Sequence, residues 1–378
     1  LGVIGAYLST PELLGRDEQL LRMRKALVRA TRGRGGAFLL RAAPGAGRTR
    51  MIDVCVLESK LVGALVARVD PASLTRDSFA AVRGAIAQWC AALPAQLSEQ
   101  LASAAHGVGQ SGTSLPTGGT GSVHTRLARE ILEVARQRAL VLAIDDAQDL
   151  DAPSVAVFAL LARAADTHKL LVCASVPTRA ELAPSVPLRM LMDATIPLPL
   201  EPWTLAQTES LLDSLFGQVP NVPLLADRVH HVARGNPRDT MSLAQHLVDS
   251  GLVTHQAGVW SLPVRLDEIV LPGSMEHAQR RTIEALDAKD RQFAAMLALE
   301  PELERLGLTV LAQLSADALT RLEALSHHGV LVARHAGFAF RHSGLVDALR
   351  AALPDAEKRA LHDRLRALHQ AAGHHPLT

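Results

Sequence analysis

The chain has 378 residues, too many for one ordinary core and enough for two or three domains. It is 48% hydrophobic but only 3% aromatic, so its cores must be built mostly from Leu, Val and Ala, a composition that favours helices. With 39 basic and 38 acidic residues the formal charge is +1, which excludes the strongly basic balance of a dedicated nucleic-acid binder and leaves room only for local patches.

Leu1 stands where Met would start an open reading frame, which points to a fragment, a cropped boundary or a misread start. The first informative segment is the apolar run Phe38-Leu39-Leu40. It has no alternation, as suits a strand buried on both faces, and it leads into Ala42-Ala43-Pro44-Gly45-Ala46-Gly47-Arg48-Thr49. A strand, a Gly-rich turn and a helix opening at residue 48 form a phosphate-binding loop, because successive backbone N–H groups in such a turn converge on one anion. Gly45 and Gly47 are where the backbone must approach phosphate or take unusual dihedrals. Thr49 is placed to ligate Mg²⁺. Ala42 replaces the usual first Gly, and Arg48 replaces the usual Lys; the guanidinium keeps the charge but is longer and planar, less suited to act as a point donor.

Helical patterns follow at roughly 48–60, 78–92, 123–138 and 153–166, alternating with apolar runs at 65–69, 140–145 and 169–175. Strands alternating with helices predict a parallel, doubly wound α/β sheet whose ligand binds beyond the carboxyl ends of the strands. The Gly/Ser/Thr-rich stretch 106–122 reads as a mobile surface loop or linker, or as a cover over the site. The run Leu140–Ile144 ends in Asp145-Asp146. Acids at the end of an apolar strand are how such folds hold the hydration shell of a metal opposite the loop hydroxyl, so Asp145 is assigned to Mg²⁺ and Asp146 to orienting or deprotonating the attacking water. Asp151 is the better-placed cap for the helix near 153.

Past residue 200 the pattern turns helical. Thr204 and Gln207 predict a capping box opening a helix at 205–215. A helix at 222–233 should stop at Gly235-Asn236-Pro237, and another should start near 238. Leu319, Leu322 and Leu325 are expected on one face of a helix ending at Gly329. Residues 330–334 and 338–341 alternate across His335-Ala336-Gly337 as a hairpin would. Helix followed by hairpin is the outline of a winged helix. The tail, 354–371, reads as another amphipathic helix. Cys55, Cys90 and Cys173 have no paired spacing, so neither a disulfide framework nor a zinc site is indicated. No apolar stretch reaches the ~18 residues of a membrane span and no signal peptide is visible, so a cytoplasmic location is expected.

Five patches in order resemble the ATPase module of STAND-type signalling proteins within the AAA+/P-loop superfamily, as found in large LuxR/MalT-like regulators and in kinase or cyclase fusions. They are Leu14-Gly15-Arg16-Asp17-Glu18-Gln19-Leu20, the loop 42–49, Asp145-Asp146-Ala147-Gln148 with Asp151-Ala152-Pro153-Ser154, Gly235-Asn236-Pro237, and Phe340-Arg341-His342. The resemblance spans roughly residues 11–370. It implies a P-loop core with an adenine-contact box at 1–200, a helical lid at 201–270, a winged-helix domain at 271–353 and a terminal helix at 354–378. It implies ATP or ADP with Mg²⁺ as ligand. Adenine contacts are implied near Gly15, Arg16 and Pro237, and phosphate contacts from Ala42, Pro44, Gly45, Ala46, Gly47, Arg48, Thr49 and Arg50. His342 would report on the β-phosphate. The sensor Arg usual after the fourth strand is displaced to Arg179, and this departure together with Arg48 points to slow hydrolysis. Catalytic roles then fall to Asp146, Arg48 and Arg179. The expected function is a nucleotide switch acting on a protein partner or fused effector domain, with assembly into homo-oligomers on activation. A nucleotide-free scaffold and an origin-recognition-like DNA-binding ATPase are the alternatives; direct DNA binding is disfavoured because 315–342 carries Arg321, Arg334 and Arg341 beside Asp317 and Glu323, with no dense basic face.

Overall fold

The computed structural model describes residues 13–71, 74, 77–106, 122–178, 184–217, 219, 221–249, 252–256, 259–261, 280, 282–299, 317–334, 337–340, 343–354 and 357–358. The chain divides into two compact units, Gly15–Glu201 and a second made of Pro202–Thr378 with the residues up to Leu14.

In the first unit, helix α1 (Asp17–Thr31) precedes strand β1 (Gly36–Ala42), helix α2 (Arg48–Leu61) and strand β2 (Leu65–Val69). Helices α3 (Ala80–Cys90), α4 (Ala95–His106) and α5 (Val123–Gln137) lead to strand β3 (Leu140–Ile144). Helix α6 (Ala152–Ala164), strand β4 (Leu170–Pro177), helix α7 (Val186–Asp193) and strand β5 (Ile196–Pro199) complete the unit. The five strands form one sheet in the order β2-β3-β4-β1-β5, and every pairing is parallel. Strands β3 and β4 are buried at every residue, which is why they read as unbroken apolar runs rather than alternations. Helices cover the sheet; α5 turns Leu127, Ile131 and Val134 inward at helical spacing.

The expected helices over 48–60, 78–92, 123–138 and 153–166 are present within a few residues. Three further helices of this unit were not foreseen, α1, α4 and α7, nor was β5. The sequence of β5 is Ile-Pro-Leu-Pro, and proline cannot donate to a ladder, so only an edge position tolerates it. Residues 107–121 of the Gly/Ser/Thr-rich stretch lie outside the described residues; His106 ends α4. Asp151 caps α6 as expected, its Oδ1 accepting from Ser154 N at 2.9 Å. The same carboxylate also accepts from Phe79 N and Ala81 N at 2.8 and 3.3 Å, which fastens the start of α3 to the start of α6.

The second unit contains helices α8 (Leu205–Phe216), α9 (Val222–Ala233) and α10 (Pro237–Asp249), then the short hairpin β6 (Thr254–Gln256) and β7 (Val259–Ser261). Helices α11 (Ala288–Ala298) and α12 (Ala318–His327), the hairpin β8 (Leu331–Arg334) and β9 (Gly337–Phe340), and helix α13 (Ser343–Ala352) follow. Both halves of the Thr204–Gln207 capping box form. The α12 face needs correction: Leu322 and Leu325 are buried, but Leu319 is 57% exposed and its inward place is taken by Ala318, one helical ridge away. Of the tail helix expected at 354–371, residues 359–371 fall outside the described residues.

Gly235 has a packing reason as well as a conformational one. Its φ is +71°, and its carbonyl accepts from Trp203 N at 2.7 Å. A Cβ there would run into the Trp203 carbonyl oxygen and lie 3.0 Å from the Trp203 nitrogen. At Gly33, φ is +84° but a Cβ would meet nothing within 4 Å. Gly235→Ala is therefore expected to destabilise by about 2–4 kcal/mol, adding a backbone clash to left-handed strain, and Gly33→Ala by about 1 kcal/mol from strain alone. Equal shifts in urea midpoint would show that the close approach to Trp203 carries no weight.

Candidate functional site

The carboxyl ends of β1, β3 and β4 lie together. Residue 144 pairs with residue 174, and residues 40 and 42 pair with residues 175 and 177, so the turn after β1, the acids after β3 and the end of β4 share one edge. The turn places Gly45 at φ +83° and Gly47 at φ +95°, both in the left-handed region that favours glycine. Ala46 N bonds back to Ala43 O at 3.2 Å, and Met51 N to Gly47 O at 3.0 Å opens α2. A Cβ on Gly47 would meet no atom within 4 Å, so the space above it is open. Thr49 is exposed in the first turn of α2.

Asp145 is 4% exposed, and its Oδ1 accepts from Ser175 Oγ at 2.6 Å and from Asp146 N at 3.1 Å. Ser175 Oγ in turn accepts from Asp146 N at 2.9 Å. A buried carboxylate needs such donors to remain charged. Its second oxygen makes no hydrogen bond among the described residues and stays open for a ligand. Ser175 escaped the sequence reading; the available signal was a hydroxyl near the end of an otherwise apolar strand beside an acid-tipped one.

Arg48 is turned inward. Its Nη1 donates to Ala42 O at 2.9 Å and its Nη2 to Asp146 Oδ1 at 2.7 Å, with 12% of the side chain exposed. Its Nε is buried with no hydrogen-bond partner. Asp146 sits at φ 43°, ψ 56°, a left-handed conformation uncommon outside glycine. The guanidinium thus binds the start of its own loop and the acid expected to orient water.

Arg16 is 4% exposed and gives Nη2 to Ala46 O at 3.1 Å and Nη1 to Glu201 O at 2.8 Å. It braces the loop from its backbone side, a role the sequence did not suggest. Burial lowers its pKa, with Glu201 opposing. On α2, burial raises the Asp53 carboxyl, Arg68 and Arg50 lower it, and Asp145 and Asp70 raise it further. Among the described residues no group of three or more His, Cys, Asp or Glu could hold a metal alone. Pro44 and Ala46 lie in the turn, Arg50 on the first turn of α2, and Gly15, at φ +66°, directly before Arg16. Pro237 opens α10 in the second unit, where Asn236 Oδ1 caps Arg238 N at 3.0 Å. Arg179 and His342 lie outside the described residues.

Residues 12–173 match the family model described as AAA ATPase domain. The sequence of this segment is similar to that family. Among solved structures, the chain is similar to a STAND protein with a tetratricopeptide repeat sensor from Pyrococcus horikoshii, at 14% identity and a TM-score of 0.53, covering 97% of this chain and 47% of that one. It thus spans about half of that relative's length. It is also similar to Orc1 of Aeropyrum pernix in complex with DNA (15% identity, TM-score 0.40, 95% and 97% covered) and Cdc6p of Pyrobaculum aerophilum (16%, 0.42, 96% and 98%). No curated protein matches the sequence. At 14% identity the likeness to the STAND protein is one of fold. Among the described residues, no helix is long and apolar enough to cross a membrane.

The Arg16 brace predicts a stability effect. Arg16→Met keeps the stem and leaves the Ala46 and Glu201 carbonyls unpaired, an expected loss of about 3 kcal/mol in urea unfolding. Arg16→Lys, with a single ammonium, is expected to recover no more than half. Full recovery by Lys would show that charge rather than the two-pronged geometry is what the loop requires.

Proposed function

We propose that the chain is a nucleotide-dependent switch that binds ATP or ADP with Mg²⁺ at residues 42–49, turns it over slowly, and controls an effector domain or protein partner beyond these residues. The observation that carries this reading is the left-handed Gly45–Gly47 turn at the start of α2, set on the same sheet edge as the Ser175-anchored Asp145. Backbone N–H groups of the turn and the positive end of α2 bind phosphate oxygens. The residues fit a metal: Thr49 is exposed, and one oxygen of Asp145 is fixed by Ser175 while the other is open. Mg²⁺ held by these two would neutralise charge on the phosphates. The partnerless buried Nε of Arg48 fits the same picture, since a buried donor calls for an acceptor and a phosphate oxygen is one.

Slow turnover follows from the Arg48–Asp146 pair. While Asp146 Oδ1 holds the guanidinium at 2.7 Å, that oxygen is a poor acceptor for a water proton. Retention needs only the loop, whereas hydrolysis needs the pair to open. A switch works through differential affinity for two states, and long-lived bound nucleotide suits that use. The helices α8–α10, with Gly235-Asn236-Pro237 between the last two, support the lid reading. Helices α11, α12 and α13 and strand β8 share one core, which supports the winged-helix reading.

The same pair gives weight to a second reading, a scaffold whose loop is closed by its own arginine. Calorimetry on the folded chain separates the two. A switch is expected to bind Mg²⁺–ADP with a micromolar Kd, and denatured preparations should release ADP or ATP on an ion-exchange column. Absence of both would sink the switch. Arg48→Lys, too short to hold Ala42 O and Asp146 together, is expected to raise turnover about tenfold, a barrier change of about 1.4 kcal/mol; unchanged zero turnover with no binding fits the scaffold.

A further inference from the structure

The exposed side of α1 carries a second, unrelated surface. Residues 17–35 hold six cations, Arg22, Arg24, Lys25, Arg29, Arg32 and Arg34, against Asp17 and Glu18, so a local +4 sits in a chain whose total is +1. Arg22 is paired with Glu18 at 2.8 Å and Arg24 with Glu58. Lys25 and Arg29 make no side-chain hydrogen bond or ion pair among the described residues. On the same exposed side, Leu21 and Val28 are two turns apart and 51% and 45% exposed, although α1 already buries Met23, Ala26, Leu27 and Ala30 on its inner face. Beside them, Ile196 of edge strand β5 is 55% exposed. Arg22, Lys25, Val28, Arg29, Phe38 and Ile196 line a groove of about 590 Å³.

We propose that this groove docks an acidic amphipathic helix of a protein partner, with apolar side chains on Val28, Phe38 and Ile196 and carboxylates on Lys25 and Arg29. Charge complementarity selects the acidic partner, since two desolvation-ready cations flank an apolar floor. The edge strand fixes the binding mode. Pro197 and Pro199 have no N–H to offer, and the Pro199 carbonyl already accepts from Gln19 Nε2 at 3.1 Å, so an added strand would find few partners. Side-chain docking of a helix, with anchors at i and i+3 or i+4, remains. The exposed apolar floor disfavours nucleic acid, which would use the cations and leave Val28 and Ile196 idle.

The test is selection of displayed random 16-residue peptides on the full chain, with the enriched peptides then measured by fluorescence anisotropy. The expected winners are acidic, with Leu, Ile or Phe at helical spacing. Their binding is expected to fall at least tenfold with the Lys25→Glu/Arg29→Glu double variant and several-fold with Val28→Ser, and to weaken with salt. Because all three residues are exposed, the variants should fold; circular dichroism and an unchanged urea midpoint check this independently of the switch reading. Winners without acids, winners that bind the double variant equally well, or no enrichment over it would overturn the proposal. So would tighter, variant-sensitive binding of a labelled 16-base-pair duplex, or a dimer of the chain that the double variant dissolves.

Discussion

The site depends on the parallel register of β3, β4 and β1. Pairing Ile144 with Ala174 and Leu40 with Ser175 brings Ser175 beside the residue that follows Ile144. Ser175 Oγ can then donate to Asp145 and accept from Asp146 N at once. A slip of one residue would turn Ser175 to the other face of the sheet and leave the buried Asp145 carboxylate without its side-chain donor. Helices on both faces make such a slip costly, because every residue of β3 and β4 is buried. Apolar packing therefore fixes the register, and the register makes a buried acid tolerable at the mouth of the loop.

Arg48 stands where such a loop usually has lysine, and its bonds differ accordingly. A lysine would present a compact ammonium at the end of a flexible stem. Arg48 presents a planar fork, and the fork fits two acceptors already in the protein, Ala42 O and Asp146 Oδ1. The strained left-handed backbone of Asp146 brings its carboxylate within reach of that fork. Because the pair is mostly sheltered from water, it is screened less than a surface ion pair. The guanidinium and the acid satisfy each other, while Nε remains without an acceptor.

Much of the sheet unit was legible because its signals are local. Unbroken apolar runs marked β1, β3 and β4, and the glycines of the loop stand at left-handed dihedrals as their positions required. The Thr204–Gln207 capping box needs only four consecutive residues, and it forms. What stayed hidden depends on contacts between distant residues. Ser175 gains meaning from a residue 30 positions away, and Arg16 from Glu201, 185 positions away. Strand β5 was masked by its own prolines, whose tolerance rests on an edge position that only the finished sheet defines. Leu319 misled because its spacing from Leu322 fits a helical face while neighbouring Ala318 fits the same core with less bulk.

The segment from Gly15 to Arg34 joins these levels in few residues. Gly15 turns the chain at φ +66°, and Arg16 accepts the cost of burial because two carbonyls take its charge. One of those carbonyls belongs to the glycine turn after β1 and the other to the last residue of the sheet unit. Shifting either carbonyl strains its bond to the shared guanidinium, so the loop and the end of the unit are mechanically linked through one side chain. Helix α1 begins at the next residue and spends one face on the core. Its other face is free to stay basic because the core already has the apolar area it needs from Met23, Ala26, Leu27 and Ala30. Leu21 and Val28 add nothing to that core. Their exposure beside Lys25 and Arg29, which pair with no acid among the described residues, is a cost in solubility.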